Sequence, residues 1–427
     1  MKKILFVSFS SPPIGSGGGE RVTKLLKYLD SFDRYLLTSD YPTCRYKDDS
    51  SRISEDIKVY RVLFKDPRLF VPKFIYKILK KNHKEEKDII EKYKIIPQSF
   101  ATKIRLMFFI PDDKIRWAKD SMKKGEKIVE ENKIDTVITT GPPHSTHLIG
   151  LYLKRKKNIK WVMDLRDLWS ENPFVIYPNR SKIKNQKFEE ECLKECDLII
   201  AVTESFKRVL LNKFDFLKEE KIKVVHNGYD KEDFAVEQKD LPGFTITYAG
   251  SFYSLQTPVF FLKAFKELIE ENDEFKNEAR IHILSPFEDN VNKIVDELKL
   301  YGNVIVSGFI PHKEAVSYIL GSKLLFLFLG RGGEATVPQK TFEYLGSGKR
   351  ILATVPDGEC KEILIKCGVK DIVDPDDVEG IKRKLLEIYK DYKEGKNVSL
   401  NKETVEEFSM EKISKKFKDS LIEGGIL

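Results

Sequence analysis

Short runs rich in Val, Ile, Leu and Phe recur at 4–9, 35–38, 136–139, 160–164 and 198–202, separated by stretches of helical character. Runs this short and this uniformly apolar are strands of a parallel sheet buried on both faces, and the helices between them return the chain and cover the sheet. A polar stretch at 230–243, containing Glu237, Lys239, Asp240 and Pro242, interrupts the rhythm and reads as a linker. The rhythm restarts at 244–249, 280–284, 304–307, 324–329 and 350–354. The fold class that follows is α/β, with two consecutive Rossmann-like lobes at 1–235 and 243–400. A length of 427 residues supplies a separate core for each. The remaining stretch, 401–427, sets Val405, Phe408, Ile413, Phe417 and Leu421 at near-helical spacing and reads as a terminal helix docked on a lobe.

No window approaches the ~20 uninterrupted apolar residues of a membrane span. The apolar run after Met1-Lys2-Lys3 is short and meets Pro12-Pro13, so it is expected to be a buried strand, not a targeting segment. Cys44, Cys192, Cys196, Cys360 and Cys367 form no Cys-x-x-Cys pair and no evident disulfide framework, which fits a reducing cytoplasm.

In open α/β sheets, ligands gather beyond the carboxyl ends of the strands. The first strand runs into Gly15-Ser16-Gly17-Gly18-Gly19-Glu20 and then a helix expected from Arg21 onward. Such a loop presents backbone amides to an anion, so Gly17, Gly18, Gly19 and Glu20 are candidates for an acceptor or phosphate loop. It also half matches a dinucleotide fingerprint. Glu20 stands where the third glycine belongs, and Asp40 ends a strand where a ribose-binding acid would sit, which leaves a nicotinamide-dependent oxidoreductase as a rival reading.

A denser signal follows the strand ending at Leu329: Gly330-Arg331-Gly332-Gly333-Glu334, then Val337-Pro338-Gln339-Lys340-Thr341-Phe342-Glu343-Tyr344-Leu345-Gly346-Ser347-Gly348. The proline predicts a helix start whose free amides favour phosphate, with Lys340 adding charge and Glu343 offering two oxygens to vicinal hydroxyls. Alone, Lys340 and Glu343 would read as an ordinary i,i+3 surface pair. The glycines before them favour a ligand.

This segment resembles the Pro-x-Lys-x-x-Glu-Tyr-Leu-x-x-Gly segment of retaining GT-B glycosyltransferases of the family 4 type (glycosyltransferase group 1). The resemblance extends over nearly the whole chain through the first glycine loop, Thr140-Gly141-Pro142-Pro143-His144-Ser145, Asp164-Leu165-Arg166-Asp167-Leu168-Trp169, Val225-His226-Asn227-Gly228-Tyr229-Asp230, Tyr248-Ala249-Gly250-Ser251 and Gly308-Phe309-Ile310-Pro311. It implies two lobes facing across a cleft, a nucleotide-diphosphate sugar held by the second, and transfer to an acceptor hydroxyl with retention and without a metal or other cofactor. It would put Glu343 on the donor ribose, Lys340 near the diphosphate, Phe309 and Ile310 beside the base, Gly250 and Ser251 in the donor site, and the loop 332–334 against the transferred sugar. Asp167 is the expected acceptor-side acid/base or positioning residue, Arg166 its electrostatic partner, and His144 the rival on a neighbouring loop. Two positions depart from the family pattern: Ala335 stands where a first glutamate is common, with Glu334 one step away, and Ser251, Phe252, Gln256 and Thr257 stand where an Arg and a Lys often grip the diphosphate.

No metal site is expected. His144 and His147 lack a third ligand, and Asp374-Pro375-Asp376-Asp377 precedes a helix that acids would cap. The net charge of +8 is concentrated: between 61 and 125, 18 Lys and Arg face 8 Asp and Glu. There Lys65, Arg68, Lys73, Lys77, Lys80 and Lys81, and later Lys103, Arg105, Arg116 and Lys119, are interleaved with apolar residues. That pattern suits either an anionic membrane surface, making the protein peripheral on the inner face of the cell membrane, or a solvated face over ordinary packing. No nucleic-acid motif accompanies it. A lipid-linked or glycan acceptor, in cell-envelope polysaccharide or lipid-linked glycan synthesis, is the expectation that joins this segment to the family. A sugar-nucleotide epimerase and a membrane-surface scaffold without chemistry remain as rivals.

Overall fold

The computed structural model describes residues 2–15, 17–66, 88–96, 100–286 and 288–427. The chain divides into two compact units, one gathering the described residues of Met1–His83, Ser99–Asn227 and Met410–Leu427, the other those of Lys84–Gln98 and Gly228–Ser409.

The first unit contains β1 (Lys3–Val7), β2 (Asp33–Asp40), β3 (Lys58–Leu63), β4 (Thr136–Gly141), β5 (Lys160–Leu165), β6 (Leu198–Ala201) and β7 (Ile222–Val224). They lie in the order β3-β2-β1-β4-β5-β6-β7, every pair parallel. The second contains β8 (Phe244–Ala249), β9 (Ala279–Leu284), β10 (Val304–Ser307), β11 (Leu324–Phe328), β12 (Ile351–Thr354) and β13 (Ile372–Val373) in the order β10-β9-β8-β11-β12-β13, again all parallel. In both sheets the first strand of the unit is central and the order reverses beside it, between β1 and β4 and between β8 and β11. Chains leaving those neighbours diverge to opposite faces, which opens a crevice for ligand at their carboxyl ends. Strands β4 and β11 are buried along their whole length, as strands covered on both faces must be.

Two boundaries differ from those read in the sequence. The basic stretch 61–125 is not one insertion of the first unit: the helix Ile89–Tyr93 and Ile96 pack on the second core, and Lys92 and Tyr93 both reach Glu297 at 2.5 Å. Basic residues Arg68, Lys73, Lys77, Lys80 and Lys81 lie outside the described residues. The stretch 401–427 is likewise divided. Lys402–Glu406 is a short helix of the second unit, where Phe408 packs on Phe342 at 5.1 Å. Met410–Glu423 is a helix of the first unit, and its Met410, Ile413, Phe417 and Leu421 enter the core beside Ile4, Phe6 and Leu25, with Phe417 stacked on Phe6 at 6.2 Å. Periodicity marks apolar faces, but it does not say which sheet they cover.

Candidate functional site

In the second unit, the helix Gln339–Ser347 starts behind Pro338, whose extended backbone (ψ 144°) stops helical continuation toward the N-terminus, and no side chain caps it. Its apolar side, with Phe342, Tyr344 and Leu345, is buried, and Gly348 in the left-handed region (φ 68°) ends it. Proline is thus the cap residue, one position before the expected helix start. The Tyr344 hydroxyl accepts a hydrogen bond from the Ala249 amide at 2.8 Å, which fixes the helix against the end of β8. The Thr341 amide turns back to Pro338 O at 3.0 Å, and the helix begins soon after the loop that follows β11, so its positive end lies on the side of the sheet where the strands finish.

Lys340 and Glu343 do not pair with each other at the surface; each takes a separate partner, buried for Lys340 and half-buried for Glu343. The Lys340 ammonium donates to the Tyr248 hydroxyl at 2.5 Å and sits 3.9 Å from the centre of that ring. Tyr248 is buried and stacked on Phe252 at 4.2 Å. Desolvation brings the lysine down to about 7, against the pull of Glu343. Gly250 makes this possible: its φ of 148° suits only glycine, and a Cβ there would lie 2.3 Å from the Lys340 nitrogen. Ser251 follows, its carbonyl accepting from the Tyr248 hydroxyl at 3.1 Å. Glu343 meets His312 Nε2 at 3.1 Å. Phe309 and Ile310, half-buried, lead from β10 into the helix His312–Gly321 that carries this histidine.

The glycine loop after β11 is tied down from several sides. The Gly330 amide donates to Gln256 Oε1 at 3.3 Å, which leaves the buried Gln256 Nε2 with no protein partner among the described residues. Gly333 is buried, and Gly332 (φ 86°) donates its amide to the exposed Glu334 carboxylate at 3.0 Å. Glu334 therefore folds back on its own loop. Arg331 pairs with Asp374 at 2.7 Å and with Asp376, while Asp377 caps the helix Val378–Lys393 by accepting from the Gly380 amide at 2.8 Å. The acidic run is occupied by a cap and an ion pair, and among the described residues no three His, Cys, Asp or Glu side chains gather as a metal site.

In the first unit, Gly17, Gly18, Gly19 and Glu20 form the first turn of the helix Gly17–Tyr28 itself, not a loop ahead of it. The Arg166 guanidinium fills the space over Gly18, where a Cβ would lie 2.0 Å from Nη1, so any side chain at that position would collide with it. Glu20 is held by Lys24 at 3.3 Å and by Ser51 at 3.1 Å.

Arg166 is positioned by its own amide on Gly141 O at 2.9 Å, by Nε on Thr140 Oγ1 at 3.0 Å and by Nη2 on Pro142 O. The two acids of this segment separate in role. Asp164 is fully buried, paired with Arg21 at 2.9 Å and accepting from Thr140 at 2.7 Å. It is structural. Asp167 is raised to about 6 by desolvation, with Arg166 opposing the rise. His144 stacks on Trp169 at 4.9 Å, and burial, then His147 and Arg166, push it well below the ordinary histidine value. Burial lowers His147 to about 3, and its Nδ1 meets Thr139 Oγ1 at 2.9 Å. Both rings are neutral near pH 7. His144 Nδ1 and His147 Nε2 are buried without partners among the described residues and flank Gly141.

Neither Tyr248 nor His312 is singled out by the sequence: Tyr248 opens the quoted segment Tyr248-Ala249-Gly250-Ser251 without a role, and His312 directly follows Gly308-Phe309-Ile310-Pro311, an adjacency that is the available signal.

Two doubly wound parallel units with functional groups at their crevice ends define the GT-B class of fold. Solved structures share it: sucrose-phosphate synthase from Thermosynechococcus elongatus is 13% identical, with 98% of each chain covered and a TM-score of 0.69. A mutant TarM from S. aureus, in complex with fondaparinux, α-GlcNAc-glycerol and UDP, is 13% identical over 98% of this chain and 99% of that one, with a TM-score of 0.58. UDP-GlcNAc 2-epimerase from Methanocaldococcus jannaschii is also 13% identical, with 99% of each chain covered and a TM-score of 0.52. No curated protein matches the sequence. The family model Glycosyltransferase Family 4 matches residues 92–233, and Glycosyl transferases group 1 matches 230–405. The chain belongs to the family 4-like group 1 glycosyltransferases.

Proposed function

We propose that the protein moves a sugar from a nucleotide-diphosphate donor, held at the carboxyl ends of β8, β10 and β11, to an acceptor hydroxyl recognised by the first unit. The observation that carries this reading is the Lys340 amine in the first turn of the helix Gln339–Ser347, a cation at the positive end of a helix that no side chain caps, suited to a departing diphosphate. Glu343 is the ribose acceptor, and the loop 332–334 meets the transferred sugar. Retention is taken from the family. We propose chemistry without a metal ion, with the lysine and the helix amides stabilising the leaving group. Asp167, poised near 6, serves the acceptor side as acid/base or positioning group, with Arg166 as its electrostatic partner.

Calorimetric titration with UDP, GDP, ADP and NAD is the test. One nucleoside diphosphate should bind, and Glu343→Ala should weaken it by roughly 1 to 3 kcal/mol, the scale of a lost hydrogen bond to a charged group. Binding of NAD alone, or an unchanged affinity in the variant, would remove the donor site. The epimerase reading shares the fold, and conversion of a nucleotide sugar without any acceptor would favour it.

We place the proposed site of action at an anionic membrane surface, in cell-envelope polysaccharide or lipid-linked glycan synthesis. No described helix is long and apolar enough to cross a membrane. The helix Phe100–Phe108 leaves Met107 and Phe108 53% and 74% exposed beside Lys103 and Arg105, as interfacial anchoring requires. Sedimentation with phosphatidylglycerol-containing vesicles, lost on pure phosphatidylcholine and weakened by Lys103→Glu with Arg105→Glu, is the expected result. Equal recovery with both vesicle types would refute the surface role.

A further inference from the structure

We infer that His312 is the positioning residue for the carboxylate of Glu343, and that through it the site distinguishes a ribose from a deoxyribose. The inference rests on the proposed donor site and adds to it a group that touches no substrate.

Glu343 and His312 arrive from different elements. Glu343 lies one turn into the helix Gln339–Ser347, and His312 is the first residue of His312–Gly321, directly after the β10 loop that carries Phe309 and Ile310. The side chains are only 15% and 17% exposed, and His312 Nε2 stands 3.1 Å from Glu343 Oε1. A glutamate side chain has three rotatable bonds, and on an open helix face it samples several rotamers. Accepting two adjacent hydroxyls requires both oxygens in one plane and one place, which a single hydrogen bond from a rigid ring to one oxygen enforces. Pro311 stiffens the holder: it caps the helix with φ −57° and extended ψ, so the His312 backbone is set where the β10 loop ends. The loop flanking the base and the contact to the sugar are thereby one piece of backbone. A nucleoside that seats its base against Phe309 and Ile310 finds the carboxylate already oriented.

A positioning role has a signature that general packing lacks. Loss of orientation weakens ligands in proportion to the hydroxyls they present, whereas a local packing defect weakens all nucleotides alike. The experiment titrates wild type, Glu343→Ala, His312→Ala and His312→Gln with whichever of UDP, GDP or ADP binds, and with its 2′-deoxy form. Wild type should prefer the ribonucleotide by about tenfold or more, the scale of one hydrogen bond to a charged group. Glu343→Ala should erase that preference. His312→Ala should remove most of it, and His312→Gln, whose amide nitrogen can donate from nearly the same point, should restore it. If Glu343→Ala erases the preference while both His312 variants keep it, the positioning role is overturned and the donor reading stands. If His312→Ala weakens both nucleotides equally and glutamine restores nothing, His312 is packing only, and the inference fails. If Glu343→Ala leaves the preference intact, the ribose assignment itself fails and takes this inference with it. Should His312→Ala not fold, His312→Phe, which fills the same space without a donor, takes its place: a lost preference that glutamine restores supports the inference, and a kept one overturns it.

Discussion

Replacing Lys340 with methionine should lower nucleoside diphosphate affinity about 10- to 100-fold and turnover by a further ~100-fold, because a charged donor aimed at a leaving diphosphate matters most where charge develops. The stronger check is pH. In the free protein, burial holds the amine near 7, parked on the Tyr248 hydroxyl and ring. An anionic diphosphate favours the protonated form, so binding above pH 7 must take up a proton. Affinity should therefore fall as pH rises past about 7, and calorimetry in buffers of different ionisation heat should register the uptake in wild type and not in Lys340→Met. The same group leaves a trace in stability. Its folded value lies below its unfolded one, so the folded state binds fewer protons across that interval; the resulting penalty is full below about 7 and gone above the ordinary lysine value. Methionine should flatten that rise in stability with pH. An affinity unchanged by the substitution, with proton uptake retained, would detach Lys340 from the diphosphate.

Asp167→Asn should reduce turnover about 100- to 10,000-fold while leaving nucleoside diphosphate binding as it is, since the residue belongs to the first unit and the nucleotide groups to the second. Desolvation raises this carboxyl to about 6. Acting as a base, it is competent only when ionised, so the turnover of wild type should climb with pH through about 6 and then level off. The asparagine variant should lose that limb of the profile. His144 makes a contrast, because burial keeps it neutral through this range and its removal should not shift the limb. Turnover within about threefold of wild type for Asp167→Asn would assign the acid/base role elsewhere.

Much of the architecture was legible because buried parallel strands are local signals: a run such as 324–329 is apolar on both faces and needs no partner to be recognised. Strand order was not, since pairing of β1 with β4 joins residues more than a hundred positions apart. The donor motif was legible as spacing, while its meaning was hidden. An i,i+3 Lys–Glu pair looks the same in sequence whether the side chains meet each other or, as here, reach Tyr248 and His312. The same limit applies to Asp164 and Asp167. They are alike in composition and neighbours in sequence, and only the distant Arg21 makes one structural and leaves the other to titrate. The glycines at 17–19 misled for a different reason. Intrinsic propensity argues against helix there, and tertiary demand, the close seat of Arg166 over Gly18, overrides it.

The return of Met410–Leu427 to the first unit sets a schedule for synthesis. Phe417, which stacks on Phe6 of the first strand, leaves the ribosome only after every residue of the second unit has emerged. The β1 sheet must therefore wait, its apolar face over Ile4, Phe6 and Leu25 partly uncovered, while the later unit is still being made. Nascent chains stalled before Met410 should leave that part of the first core uncovered. The second unit can close first, so completion of this protein runs against the direction in which it is translated.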